Sequence, residues 1–140
     1  MGEISAVDFN QIILEKLFWA HEIGIRAEII SEGMAVLRLP YADKMLRPGG
    51  TVACPFMMAL ADVTMYAVVF SLLGEIELAV TTNLNVNFLN RPGPADLIAE
   101  GRMLKAGKRL VVCDVMLHSK GNKDPVAHVT GTYSIPPMPS

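Results

Sequence analysis

The stretch Cys54–Leu73, CPFMMALADVTMYAVVFSLL, decides the fold of this chain. Pro55 fits the first position of a helix, where its missing N–H leaves nothing unpaired, and Gly74 suits the end. Apolar side chains fall on nearly every side of that helix, so it is surrounded by protein rather than laid on a surface. Its one charged residue is Asp62. The length would also suit a membrane span. Against that, a carboxylate at mid-span costs about 2.5–3.5 kcal/mol on insertion scales. The flanking Arg47, Glu75 and Glu77 give little topological signal, and the remaining segments read as strands that need this helix to bury against.

Working outward, Thr81–Leu89 has the clearest period of two in the chain. Leu84, Val86 and Phe88 share one face; Asn83, Asn85 and Asn87 share the other. Arg91-Pro92-Gly93-Pro94 turns the chain into a strand over Leu97–Lys105. A hairpin at Ala106-Gly107 leads into Arg109–His118, and another at Lys120-Gly121-Asn122 into Val126–Ser134. Upstream, Asp8 is placed to cap a helix over Phe9–Ala20. Two strands follow, Arg26–Ile30 and Met34–Leu39, the second with Ala35, Leu37 and Leu39 on one face and Met34, Val36 and Arg38 on the other. Lys44–Val52, with Pro48, Gly49 and Gly50, reads as a loop, and the prolines of the terminal IPPMPS stop regular structure. The expected class is α+β: a curved antiparallel sheet wrapped around one long central helix, in a single domain over residues 1–140. A sheet so curved exposes its edges, and edge-to-edge dimerisation would remove one of them.

The 140 residues fit one domain, and 51% hydrophobic residues suffice for a core. A net charge of −2 gives no basic excess for nucleic acid. Cys54 and Cys113 are too few for a disulfide framework, and His21, His118 and His128 have no metal-ligand spacing, so no metal is expected. The opening MGEISAVDFNQ lacks a secretory leader's basic and apolar regions and misses the myristoylation pattern; a cytoplasmic location is the expectation.

Asp62 is the leading candidate for chemistry. An ionised carboxylate on a buried helix needs a partner, a hydrogen bond or water, and either a surface-facing Asp or a catalytic carboxylate in a cleft answers that need. The helix start at Cys54-Pro55 offers unpaired N–H groups at the positive end of a dipole, able to hold a developing oxyanion. Pro55 has no N–H, so Cys54 is the donor. Its thiol would need a nearby His to act as nucleophile, and the sequence supplies none by motif. Tyr66, four residues after Asp62, shares its helix face. Met57, Met58 and Met65 are core filler or an adaptable acyl cavity. Lys105, Lys108 and Arg109 surround one hairpin turn, which is a solvated turn or a place for the phosphates of a nucleotide handle.

The segments RPGGTVACPFMMALADVTMY (47–66) and TTNLNVNFLNRP (81–92) together resemble the PaaI-like branch of the hotdog-fold thioesterases. The resemblance runs from Arg47 to Pro92, about a third of the chain, and its most specific parts are Leu60-Ala61-Asp62 and the Asn-rich strand. It implies a hotdog fold and hydrolysis of the thioester of a small aromatic or medium-chain acyl-CoA, with coenzyme A as part of the substrate and no separate cofactor. It further implies a homodimer with two half-sites, and a dimer-of-dimers tetramer. The family's helix carboxylate, nucleophile or general base, falls on Asp62. Its oxyanion N–H falls on Cys54, and a hydroxyl on the next strand, which positions the attacking water, falls near Thr81 or Thr82. The acyl-CoA would further touch Gly50, Thr51, Pro55, Met58, Tyr66, Asn83 and the Lys105–Lys108–Arg109 turn.

Two positions depart from the family pattern. Its His-Gly-Gly turn is Ala53-Cys54-Pro55 here, which keeps a backbone donor but loses glycine's close approach. Its Asn or Gln, which orients the water or thioester, is Arg47, and a guanidinium cannot accept a hydrogen bond. Arg47 could instead pair with Asp62 or grip a carboxylate or phosphate of the substrate. The departures keep a non-catalytic acyl-CoA binder in contention. An acyl-thioester hydratase needs a His on this helix or its leading loop, and neither has one.

Overall fold

In the computed structural model, which describes residues 4–76 and 78–137, the apolar stretch forms one continuous helix, α3 (Cys54–Leu73). Ala53 is its extended N-cap, so Cys54 takes the first helical position and Pro55 the second, one place later than the sequence suggests. Proline is tolerated there because first-turn N–H groups have no intrahelical partner. Gly74, at φ 84°, ends the helix. Eleven of its residues are buried, from Met57 to Ser71. By length and composition α3 could cross a membrane; here its apolar surface lies against the sheet.

That sheet has six strands: β1 (Arg26–Ser31), β2 (Met34–Leu39), β5 (Val80–Phe88), β6 (Leu97–Ala106), β7 (Leu110–Ser119) and β8 (Pro125–Ser134). The order is β1-β2-β6-β7-β8-β5, all antiparallel. Ala35, Leu37, Leu39, Ala99, Val115, Leu117 and Val129 face the helix and are fully buried or nearly so. Close contact occurs where the sheet has no side chain. A Cβ on Gly101 would stand 2.7 Å from Thr64 Cγ2 and 3.2 Å from Val68 Cγ2. One on Gly131 would stand 2.6 Å from the sulfur of Met65.

The loop expected over Lys44–Val52 contains a 3-10 turn (Asp43–Met45) and a two-stranded ribbon, β3 (Leu46–Arg47) and β4 (Thr51–Val52). Gly49 and Gly50 turn it at φ 103° and 82°, a region that glycine reaches without strain. The ribbon is fixed in front of α3: Val52 N–H donates to Pro92 O at 3.0 Å, and Ala53 N–H to Met45 O at 2.8 Å.

The N-terminal helix differs from the expectation. Ser5, not Asp8, is the cap: its hydroxyl accepts from Asp8 N–H at 3.0 Å, while Asp8 reaches back to Ser5 N–H in a capping box. The helix then breaks at Leu17 into α1 (Ala6–Lys16) and α2 (Phe18–Ile23). Of the tail read as irregular, residues 138–140 lie outside the described residues, as do Glu77 and residues 1–3.

β1 and β5 are the sheet's two edges. Asn10 on α1 brackets the backbone of Ala27, accepting from its N–H at 2.7 Å and donating to its C=O at 3.0 Å. Among the described residues, β5 has no such cover. Its Val80 and Phe88 are about half exposed, as is Leu89 just beyond.

Candidate functional site

Asp62 lies near the middle of α3, at its ninth residue, half-buried. Two hydroxyls converge on one of its oxygens. Thr81 Oγ1 donates to Asp62 Oδ1 at 2.7 Å, and the Tyr133 hydroxyl reaches the same oxygen at 2.8 Å and the Asp62 backbone carbonyl at 3.0 Å. Oδ2 has no hydrogen-bond partner among the described residues. The carboxylate borders a cavity of about 300 Å³ shared with Leu17, Trp19, Val63, Tyr66, Val80, Thr81 and Tyr133.

Thr81 reaches the helix because β5 is irregular. Strict alternation inward from Leu84 would aim Thr82 at α3. The register against β8 slips between Thr81, opposite Tyr133, and Asn83, opposite Thr132. This one-residue bulge turns Thr81 to Asp62 and leaves Thr82 on the Thr132 carbonyl at 3.3 Å. Tyr133 stands on the inward face of β8, 3% exposed, its ring stacked on Tyr66 with centroids 5.9 Å apart. Burial, and then the charge of Asp62, raise its phenol far above the ordinary tyrosine range, so it stays protonated and remains a donor.

A second cavity, about 310 Å³, opens at the other end of β5, where α3 begins. Arg47, Thr51, Cys54, Met57, Phe88 and Arg91 line it. Phe56 N–H donates to Ala53 O at 3.1 Å. Pro55 has no N–H, so the Cys54 N–H is the unpaired donor of the first turn beside this cavity. Cys113 lines neither cavity: burial, then the neighbouring Asp114 charge, push its thiol up to about 12.

One protomer therefore does not bring the two candidate groups together. Cys54 and Asp62 are eight residues apart on α3, about 12 Å along the axis at 1.5 Å per residue. Arg47 does not pair with Asp62 within the protomer; its partners are the two hydroxyls. Of the other candidates, Thr51 and Tyr66 each line a cavity, the first at the helix start and the second beside Asp62. Gly50 is at the ribbon's tip, Pro55 and Met58 are exposed on the first turns of α3, and Asn83 is exposed on β5. Lys105, Lys108 and Arg109 are exposed on the β6–β7 turn and line neither cavity. That turn is at the Tyr133 end of the sheet, since Ala106 pairs with Val111 and Val111 with Tyr133. Trp19 and Tyr133 were not singled out by the sequence. Trp19 belongs to a helix whose break at Leu17 has no strong signal, and Tyr133 reads as an ordinary inward strand residue.

Comparison with known proteins bears on the family and the fold. The family described as "Thioesterase superfamily" matches residues 49–126, more than half of the chain, a range that includes Cys54 and Asp62. A solved "putative thioesterase" of Silicibacter sp. TM1040 is 40% identical, with a TM-score of 0.86 over 96% of this chain and 93% of that one. A "putative esterase" of Saccharolobus solfataricus is 28% identical over 94% of this chain and 86% of its own length. The Escherichia coli PaaI protein of the phenylacetic acid degradation operon, at 21% identity, shares the fold with a TM-score of 0.82 over 94% of each chain.

Proposed function

The chain belongs to the thioesterase superfamily and has its hotdog fold, and from that membership we propose that it hydrolyses the thioester of a small aromatic or medium-chain acyl-CoA at a site shared by two protomers. The carrying observation is the Asp62 carboxylate, held by two hydroxyls on one oxygen and set in the wall of a cavity.

The shared site follows from β5. This strand runs from Thr81, beside Asp62, to Phe88, beside the Cys54 cavity, and its outer edge is unpaired within the protomer. Antiparallel pairing of β5 with its copy across a two-fold axis would set the Asp62 end of one protomer against the Cys54 end of the other. The pairing would also cover the edge and its exposed Val80 and Phe88. Each dimer then carries two sites, and the dimer is the unit from which a dimer-of-dimers tetramer is built.

In such a site the thioester carbonyl oxygen points at the Cys54 N–H of one protomer, and Asp62 of the other acts on the carbonyl carbon. Asp62 either attacks that carbon directly or takes a proton from a water that attacks. The charge that develops on the carbonyl oxygen is held by the Cys54 N–H at the positive end of α3. The C–S bond breaks, the thiol of coenzyme A leaves with a proton, and water supplies the oxygen of the product carboxylate. Arg47, in the wall of the Cys54 cavity, grips an anionic group of the substrate. The basic β6–β7 turn meets the phosphates of coenzyme A. The reaction needs no metal or separate cofactor and suits a cytoplasmic enzyme.

The turn before α3 favours one other reading. With Ala53-Cys54-Pro55 in place of glycines, the backbone approaches a ligand less closely, as in a protein that binds acyl-CoA without cleaving it. Release of free coenzyme A by the parent and by Asp62→Asn separates the two.

A further inference from the structure

The two oxygens of Asp62 are unequal in a way that assigns roles. A carboxylate oxygen has two in-plane lone pairs. On Oδ1 both are taken, by Thr81 Oγ1 at 2.7 Å and the Tyr133 hydroxyl at 2.8 Å. Oδ1 therefore has no lone pair left to attack a carbon or accept a proton, while no group among the described residues engages either lone pair of Oδ2. We propose that Oδ2 is the reacting oxygen of Asp62 and that Tyr133 is a positioning residue, which with Thr81 fixes the carboxylate plane through Oδ1. This rests on the hydrolytic reading above and assigns a task to a residue outside the family pattern recognised in the sequence.

The surroundings of Tyr133 fit that task. Its ring is 3% exposed and stacked on Tyr66, which is tilted against Phe70 with centroids 4.4 Å apart. The hydroxyl therefore sits at a fixed point. It also contacts the Asp62 backbone carbonyl at 3.0 Å, so the same phenol references the carboxylate to the helix that carries it. Tyr133 and Thr81 face each other across the β5–β8 ladder, and the bulge after Thr81 brings both to one oxygen. Removing either hydroxyl lets the carboxylate rotate about its Cα–Cβ and Cβ–Cγ bonds and spend most of its time with Oδ2 turned from the carbonyl carbon. That costs rate, not substrate affinity, because neither hydroxyl is needed to hold the acyl-CoA.

The test is steady-state hydrolysis by the full-length oligomer of the parent, Tyr133→Phe, Thr81→Val and Thr81→Ser, on the acyl-CoA the parent cleaves best, with the thermal midpoint of each. The expected result is a roughly tenfold or greater fall in kcat for Tyr133→Phe and Thr81→Val, with KM within about twofold of the parent. Thr81→Ser, which keeps the donor, should restore most of kcat. A purely packing role would lower the midpoint and leave kcat per folded protein unchanged. Unchanged kcat in Tyr133→Phe, or a loss appearing only in KM, overturns the assignment. If Tyr133→Phe does not fold, equal kcat in Thr81→Val and Thr81→Ser overturns it instead. Failure of the parent to cleave any acyl-CoA counts against the hydrolytic reading, a different result from cleavage that ignores these hydroxyls.

Discussion

Cys54 and Asp62 stand eight residues apart on one helix, about 12 Å along its axis, each beside its own cavity. No single carbonyl group can touch both. A site built from Cys54 of one protomer and Asp62 of its partner makes a strict prediction about mixed oligomers. Asp62→Asn and Cys54→Pro should each be nearly inactive alone. Mixed and reassembled, they should recover about a quarter of parent activity, because half the dimers are mixed and each keeps one of its two sites intact. Activity that stays at the sum of the two variants would place the whole site within one protomer.

Cys54→Pro also separates the backbone from the thiol. Position 54 is the first helical residue after an extended Ala53, a place where proline fits. The substitution removes the N–H, and kcat should fall by about 10²–10³-fold, with little change in thermal midpoint. Cys54→Ala keeps the N–H and should retain activity within a few fold. Loss of activity in Cys54→Ala would point to the thiol instead.

Arg47 lines the cavity at the helix start, as does Arg91. With Arg47→Gln, kcat/KM should fall for acyl-CoAs whose acyl chain ends in a carboxylate, by roughly tenfold, the scale of one charge-assisted hydrogen bond. Neutral thioesters of the same length should change little. An equal fall for both, lost again with dephospho-coenzyme A thioesters, would move the contact to the phosphate of coenzyme A.

Core packing yields a graded pair of stabilities. Gly101→Ala drives a methyl against Thr64 and Val68 on α3 and should cost about 1–3 kcal/mol by urea denaturation. Gly131→Ala meets the flexible end of Met65, which can swing aside, and the Asn83 backbone oxygen at 3.1 Å, which need give only slightly, so it should cost less. The reverse order would mean that the Asn83 carbonyl on β5, rather than Met65, limits the space at Gly131.

How much of this was legible in the sequence differs by element. α3 was plain because twenty residues with one charge admit few readings. The β-strands were plain because alternation and hairpin turns agree with each other, as at Ala35, Leu37 and Leu39. Asp62 stood out for the same reason that the helix did. Thr81 could be narrowed only to Thr81 or Thr82, since alternation favours Thr82 and the bulge that reverses it leaves no mark in composition. Tyr133, 71 residues from Asp62, had no local signal: its partner is set by the sheet register alone. The split of α1 from α2 was missed because Leu17 is a good helix former and Ser5 begins the capping box earlier than Asp8 suggests.

The outer face of the sheet carries a testable pH dependence. Asp114 is 8% exposed and accepts from Arg102 Nε at 2.9 Å, with His128 Nε2 at 3.0 Å. Burial alone would raise its carboxyl, but the hydrogen bonds and charges of Arg102 and His128 outweigh it and hold the group below the usual range. A carboxyl lowered on folding stabilises the native state above its unfolded value, about 3.9, and that stability is lost as pH falls below it. Asp114→Asn should flatten the fall in stability between about pH 5 and pH 2. A curve identical to the parent's would remove this group from the acid response.

The most direct test of the central claim is release of free coenzyme A by the purified protein across short, medium, long and aromatic acyl-CoAs, with Asp62→Asn alongside. The predicted result is turnover of at least one class, best for small aromatic or medium chains, falling by about 10²–10⁴-fold in Asp62→Asn with the oligomer intact. No release from any thioester by the parent, or release that Asp62→Asn leaves unchanged, would contradict it.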